Sequence, residues 1–227
     1  SCAHPAAHSA GIDRLMIVWA SERVQQIVDE TGRSLTLYVD VAEGQIEHVA
    51  LLAAHGFAPD QSAMIRMARP LNDVLPEPQL PPGYLLRPID GAREVLEYVV
   101  LHRAAFGAAD MTIAWRKRTL ASPHYVPELD IVAQAPSGRI VAFCMCWLGP
   151  VCGDGYIEPL GVHPDFGGLG LGRAVLLESL WRLQAHSATT ALIDRYEGDE
   201  SARTLYEALG FRTRLRTVGY ARRFGGA

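Results

Sequence analysis

The strongest constraint on this chain is that it repeats itself. "LTLYVDVAEGQIEHVALLAAHGF" (35–57) lies over "TTALIDRYEGDESARTLYEALGF" (189–211) without a gap. At the one offset that carries Gly56 to Gly210, residues Thr36, Asp40, Glu43, Gly44, Leu51, Ala54, Gly56 and Phe57 all meet identical partners. Ordinary residue frequencies give about one or two such matches by chance. Upstream, His4, Pro5, Gly11 and Arg14 pair with His163, Pro164, Gly170 and Arg173, at an offset larger by five residues. The first copy therefore carries five extra residues in its helix or in the loop after it.

The stretch "RPLNDVLPEPQLPPGY" divides the two copies. Pro70, Pro76, Pro78, Pro81 and Pro82 remove backbone donors and disfavour regular structure there. The expected organisation is a partial copy at 1–69, a proline-rich linker at 70–82 and a full domain at 83–227. Within the last, the pattern predicts a strand at 83–89, helices at 92–106 and 113–121, and a hairpin of "LDIVAQA" and "RIVAFCMCWL" turning at Pro136, Ser137 and Gly138. A strand at 156–162, a helix at 172–186, a strand at 190–195, a helix at 200–209 and strands in "FRTRLRTVGYARRF" follow. In helix 172–186, Leu177, Leu180, Trp181 and Gln184 share one side. The fold class is α+β, a mixed, mostly antiparallel sheet flanked by helices.

Half a copy cannot bury its own apolar face. The 1–69 segment is therefore expected to pack on the rest of the chain, to self-associate with another chain, or to be a piece of a longer tandem protein.

Composition narrows the function. The 227 residues are 49% hydrophobic and 20% charged with a net charge of −4, which suits a globular chain and offers no basic footprint for nucleic acid. "WRKR" at 115–118 is the one short basic run. No apolar stretch reaches the roughly 18 to 20 residues of a membrane helix, and the expected location is cytoplasmic. The four cysteines include no C-x-x-C pair; Cys144 and Cys146 read as reduced thiols of a core strand rather than metal ligands.

"GGLGLGR" (167–173) follows a strand and opens a helix. Glycines let successive N–H groups converge on one concavity, and the helix start adds partial positive charge, so the loop suits phosphate oxygens. The alternative is a turn that needs glycine only for tight packing. The absence of G-K-S or G-K-T excludes a P-loop. Arg173 stands where a dinucleotide loop would place its third glycine, and Asp194 alone keeps that reading open.

"LGVHPDFGGLGLGRAVL" followed by "DESARTLYEALGF" resembles the acyl-CoA-binding core of the GNAT superfamily of N-acetyltransferases, and the repeat with its linker resembles the tandem-domain members. Gly170 and Gly172 fit the family's loop pattern; Gly167 stands where Gln or Arg is usual. The resemblance implies acetyl-CoA as acetyl donor, its diphosphate on the backbone of Gly167, Gly168, Leu169, Gly170, Leu171, Gly172 and Arg173, and its pantetheine arm along Leu160, Gly161 and Val162. Asp199 occupies a position where Asn commonly contacts the cofactor arm. Independently, Pro159 cannot donate and Gly161 favours a bulge, so the ladder is expected to break where a ligand needs free donors.

An alkylammonium, with a pKa near 10, must lose a proton before it attacks a thioester. Glu158 resembles the family's strand base. Tyr206 resembles the tyrosine that protonates the departing thiolate, with packing on the sheet as its alternative role. His163 reads as structural, and Asp194, shared with Asp40, as a fold residue. In the first copy Leu52 replaces the tyrosine, and His8 and Asp13 replace Gly167 and Gly172. The expected acceptor is a small-molecule amine, its pocket shaped by helices 92–121 and loop 122–128, with no nucleic-acid or membrane partner. The rival class is a non-catalytic acyl-CoA-binding sensor or scaffold.

Overall fold

The computed structural model describes residues 11–149 and 153–225. His4, Pro5, His8, Ser9, Cys2 and Cys152 lie outside them. In chain order the elements are α1 (Ile12–Thr31), β1 (Leu35–Ala42), α2 (Ile46–Ala54), β2 (Ala58–Pro70), β3 (Leu85–Pro88), α3 (Val95–Phe106), α4 (Ile113–Leu120), β4 (Asp130–Gln134), β5 (Ile140–Leu148), β6 (Asp154–Val162), α5 (Leu171–Ala185), β7 (Thr190–Tyr196), α6 (Glu200–Ala208) and β8 (Arg212–Phe224). The tail that the pattern reads as several strands is one strand of 13 residues, β8.

The repeat holds element by element. The offset that carries Gly56 to Gly210 takes both ends of α2 onto both ends of α6, and both ends of β2 onto both ends of β8. The larger offset takes the start of α1 onto the start of α5. Helix α1 has 20 residues and α5 has 15, so the five extra residues lie in the helix.

Two compact units result, and they do not follow the linear boundary. Residues 195–200 and 213–225 join 11–66 in the first unit, while 67–194 and 201–212 form the second. In the first, β1 runs antiparallel to β8, from Leu35 opposite Phe224 to Ala42 opposite Thr217. A Cβ on Gly219 would collide with the Ser62 hydroxyl, so glycine is what lets β8 approach β2. Ile17, Val41, Leu52 and Phe57 form this unit's small core. Arg216 ties its surface together through Glu197 and Glu43 at 2.7 and 3.1 Å.

In the second unit the strand order is β7-β6-β5-β4-β3, antiparallel except for the β6–β7 pair. The turn between β4 and β5 closes with Gly138 at φ +88°, a left-handed conformation suited to glycine. Thr112 starts α4 by accepting the Trp115 N–H at 3.1 Å. Tyr98, Val99 and Leu101 of α3 pack with Val132, Ile140 and Phe143 on one face of the sheet. On the other face lies α5, whose Leu176, Leu177, Leu180 and Leu183 are buried. Trp181 and Gln184 do not join that apolar side. Gln184 donates to the Leu71 and Asp73 carbonyls, both at 3.0 Å, and the Trp181 indole donates to Pro76 at 3.3 Å. With Leu71 and Leu75 buried, the proline-rich linker is a strap docked on α5 rather than a free tether.

Candidate functional site

The site begins with a bulge in β6. Cys144 of β5 faces Leu160 and Cys146 faces Ile157, so Glu158 and Pro159 together oppose Met145. The extra residue reverses which face the strand presents. A Cβ on Gly155 would meet Leu183 of α5 at 2.5 Å, whereas one on Gly161 would meet Phe143 at 2.6 Å and Ala105 of α3 at 3.0 Å. Gly161 is thus demanded by close packing, and the bulge sits two residues before it. The Trp147 indole donates to the Glu158 carbonyl at 3.1 Å and braces the bulge.

Beyond the bulge, β6 leaves β7. Their parallel ladder runs from Asp154 opposite Thr190 to Ile157 opposite Ile193. His163 N–H donates to Val141 of the β5 side at 2.8 Å. Strand alternation therefore turns the N–H groups of Leu160 and Val162 the other way, toward the gap with β7.

The gap leads to the glycine loop. The His163 ring accepts the Asp165 N–H at 3.2 Å and holds the turn, a structural job. Gly168 and Gly170 have φ of +76° and +77°, with nothing within 4 Å of an added Cβ, so backbone conformation selects glycine there. Gly170 caps α5, and Ala174 closes the first helical bond to its carbonyl at 3.0 Å. The amides of Leu171, Gly172 and Arg173 thus belong to the first turn, which no intrahelical bond satisfies. No acidic side chain stands in that turn. Gly172 is less open than the sequence implies: an added Cβ would lie 3.3 Å from Val162. Leu169 and Arg173 are exposed.

The two acid–base candidates differ in setting. Glu158 is exposed. Tyr206 is 6% exposed, its ring 6.0 Å from that of Phe211. Asp199 immediately precedes α6, its N–H donating to Tyr196 at 3.1 Å.

Sequence reasoning missed four polar features. The Tyr156 hydroxyl donates to the Asp194 carboxylate at 2.7 Å. Trp147 lies opposite Tyr156 on β5. His102 of α3 stacks on Phe143 at 5.6 Å, and burial lowers its pKa, favouring neutral imidazole. Arg116, drawn from the basic run, is buried against Asp130 and lies 3.7 Å from the Tyr98 ring centroid. Tyr125 donates to Asp130 as well, at 2.8 Å. Burial pushes the Asp130 carboxyl up, against the opposing pull of Arg116 and Tyr125. This pair fastens α4 and the 122–129 loop to β4. Among the described residues no His, Cys, Asp and Glu cluster suits a metal, and no helix is long and apolar enough to cross a membrane. Cys144 and Cys146 are buried and unbridged.

A glycine-capped helix behind a bulged, splayed strand is the arrangement that the "GGLGLGR" resemblance implies. Residues 97–211 match the model of the acetyltransferase (GNAT) family. The chain belongs to that family. It is 31% identical over 82% of its length to a mycothiol acetyltransferase of Thermobispora bispora, and 33% identical over 79% to one of Frankia alni. It spans 64% and 58% of the lengths of those two relatives. Among solved structures, a GCN5-related N-acetyltransferase from Sphaerobacter thermophilus covers 99% of the chain with TM-score 0.80 and 23% identity, the match taking in 71% of that protein. A tandem GNAT protein from the clavulanic acid biosynthesis pathway covers all of the chain, 74% of its own, with TM-score 0.71 and 20% identity. At such identities these two neighbours speak for the fold alone.

Proposed function

We propose that this GNAT chain transfers the acetyl group of acetyl-CoA to the amine of a small molecule, by direct attack through a tetrahedral intermediate. The observation that carries the reading is the continuity of the β6–β7 gap with the first turn of α5. The family's donor is a thioester on a long arm ending in a diphosphate. The residues present fit it: an anion-compatible turn without carboxylates, then strand amides facing an opening.

In this reading the amides of 167–173 hold the diphosphate. Leu160, Gly161 and Val162 line the arm, and an amide turned toward the gap stabilises the oxyanion. Glu158, at the bulge, takes the proton of the incoming ammonium directly or through water, and Tyr206 returns one to the leaving thiolate. The first copy, with Asp13 and Leu52 at the matching positions, is a degenerate domain that binds no cofactor. The mycothiol acetyltransferase relatives favour an acceptor such as an amino-sugar thiol, and the acidic balance favours a cationic one. The setting is cytoplasmic.

The test combines calorimetric titration of acetyl-CoA with a panel of amines, including amino-sugar thiols and aminoglycosides, followed by mass spectrometry of the acetylated product. Binding with product supports the transferase. Binding without product on any amine supports the sensor or scaffold class instead. Glu158→Gln is expected to slow transfer at neutral pH and to regain rate as pH rises and the amine deprotonates in solution. A fully active variant with a flat pH profile removes Glu158 from the base role.

A further inference from the structure

Arg139 and Phe166 meet at the end of the sheet that carries the glycine loop. Strand β5 runs antiparallel to β6, with Ala142 opposite Val162, so the start of β5 and the end of β6 lie together. The His163 N–H, donating to the Val141 carbonyl at 2.8 Å, extends that pairing into the turn. Arg139 is the residue before β5, and Phe166 is the residue before Gly167. The guanidinium carbon of Arg139 lies 5.9 Å from the Phe166 ring centroid, and that ring stands edge-on to His163 at 5.8 Å. A cation from the β4–β5 turn is thereby brought beside the first residue of the loop.

The charge of Arg139 has no protein partner. Arg87, Arg93 and Arg182 of the same unit each pair with a carboxylate. Arg139 is exposed and, among the described residues, joins no ion pair. The nearby acids are otherwise engaged: Glu97 accepts the Ile140 N–H at 2.8 Å, and the Asp165 carboxylate lies 3.7 Å from the His163 ring. A guanidinium resting on an aromatic face keeps the N–H groups in its own plane for a third partner, and its flat fork matches phosphate oxygens. The loop itself brings no cation at its first position, since Gly167 has no side chain and an added Cβ would lie 3.3 Å from the Pro164 carbonyl. In the first copy the residue aligned with Phe166 is Ala7, whereas Arg173 keeps a counterpart in Arg14. The aromatic seat thus distinguishes the two copies and Arg173 does not.

In the acetyl-CoA reading the loop amides take the diphosphate. Beyond the diphosphate the donor carries an adenosine with a phosphate monoester, which holds roughly two negative charges near neutral pH. We propose that Arg139, seated on Phe166, binds this monoester and is a specificity-determining residue that separates coenzyme A from its 3′-dephospho form. The inference rests on the acetyl-CoA reading and adds a second phosphate contact, outside the loop, to the same ligand.

Calorimetric titration with coenzyme A and with 3′-dephospho-coenzyme A at low salt tests it. Arg139→Gln should weaken coenzyme A by about three- to tenfold, between an exposed ion pair and a hydrogen bond to a charged group. The dephospho form should lose less than about twofold. Arg139→Lys should keep part of the preference, and added salt should narrow the gap between wild type and the glutamine variant. Arg33→Gln, which removes one exposed charge from the first unit, should leave the preference as it is. Equal losses on both ligands, an unchanged preference in Arg139→Gln, or the same loss in Arg33→Gln overturns the assignment and leaves the transferase reading standing. Wild-type protein that binds neither ligand overturns both.

Discussion

The starts of α1 and α5 share one backbone and differ in charge at one position. Gly11 and Gly170 cap them with φ of 72° and 77°, and the first helical bonds run Leu15 to Gly11 at 3.2 Å and Ala174 to Gly170 at 3.0 Å. At the second helical position α1 carries Asp13 and α5 carries Gly172. A carboxylate in a first turn is favourable for the helix because it complements the macrodipole. It is unfavourable for any phosphate that would use the same amides. The same substitution thus suits a helix start and opposes an anion there, so a shared backbone is by itself no guide to whether a loop binds. The α2 and α6 pair gives a second lesson. Leu52 is fully buried and Tyr206 nearly so, at matching positions. The position is a core position in both copies, and the tyrosine adds a hydroxyl to a ring that packs.

The largest expected effect comes from making α5 like α1. Two unit charges about 4 Å apart at an effective dielectric near 20 repel by roughly 4 kcal/mol. Gly172→Asp should therefore weaken acetyl-CoA binding by about a thousandfold. Because a Cβ there presses on Val162, Gly172→Ala is the necessary companion. It should lose only a few fold in the same calorimetric titration. Comparable losses in both variants would assign the effect to packing and dissolve the electrostatic contrast.

Tyr206→Phe comes next. It keeps the packed ring and deletes the hydroxyl, so acetyl-CoA affinity should hold within a few fold while kcat falls roughly ten- to a thousandfold. Tyr206→Leu, which copies Leu52, should add a loss of thermal stability that the phenylalanine variant does not show. An unchanged kcat in Tyr206→Phe would make the two core positions equivalent. The smallest effect belongs to Asp13→Gly. Removing the carboxylate leaves α1 without the rest of a binding site, and the stoichiometry should remain one acetyl-CoA per chain. A second equivalent site, in the variant or in the wild type, would break the comparison.

Much of this was legible because the signals were local. Hydrophobic period marked α3, α5 and the β4–β5 hairpin, and glycine identity marked the loop, since a left-handed φ at Gly168 and Gly170 is a property of the residue itself. Pro159 announced a broken ladder. Other features were hidden because they depend on partners distant in sequence. Arg116 looked like part of a solvated basic run, yet its guanidinium is buried by a carboxylate 14 residues away. Trp181 and Gln184 fitted an apolar helical stripe, and only the strap lying across α5 uses their donors.

The sequence by itself determined the internal repeat, the positions of the helices and strands between residues 83 and 211 to within a few residues, and the family. Those follow from local chemistry repeated at a fixed offset. Tertiary structure alone decided which unit each segment joins, where β6 parts from β7, and that Tyr156 spends its proton on Asp194. Strand pairing and long-range hydrogen bonds are made between residues tens of positions apart, and no local preference of either partner encodes the other.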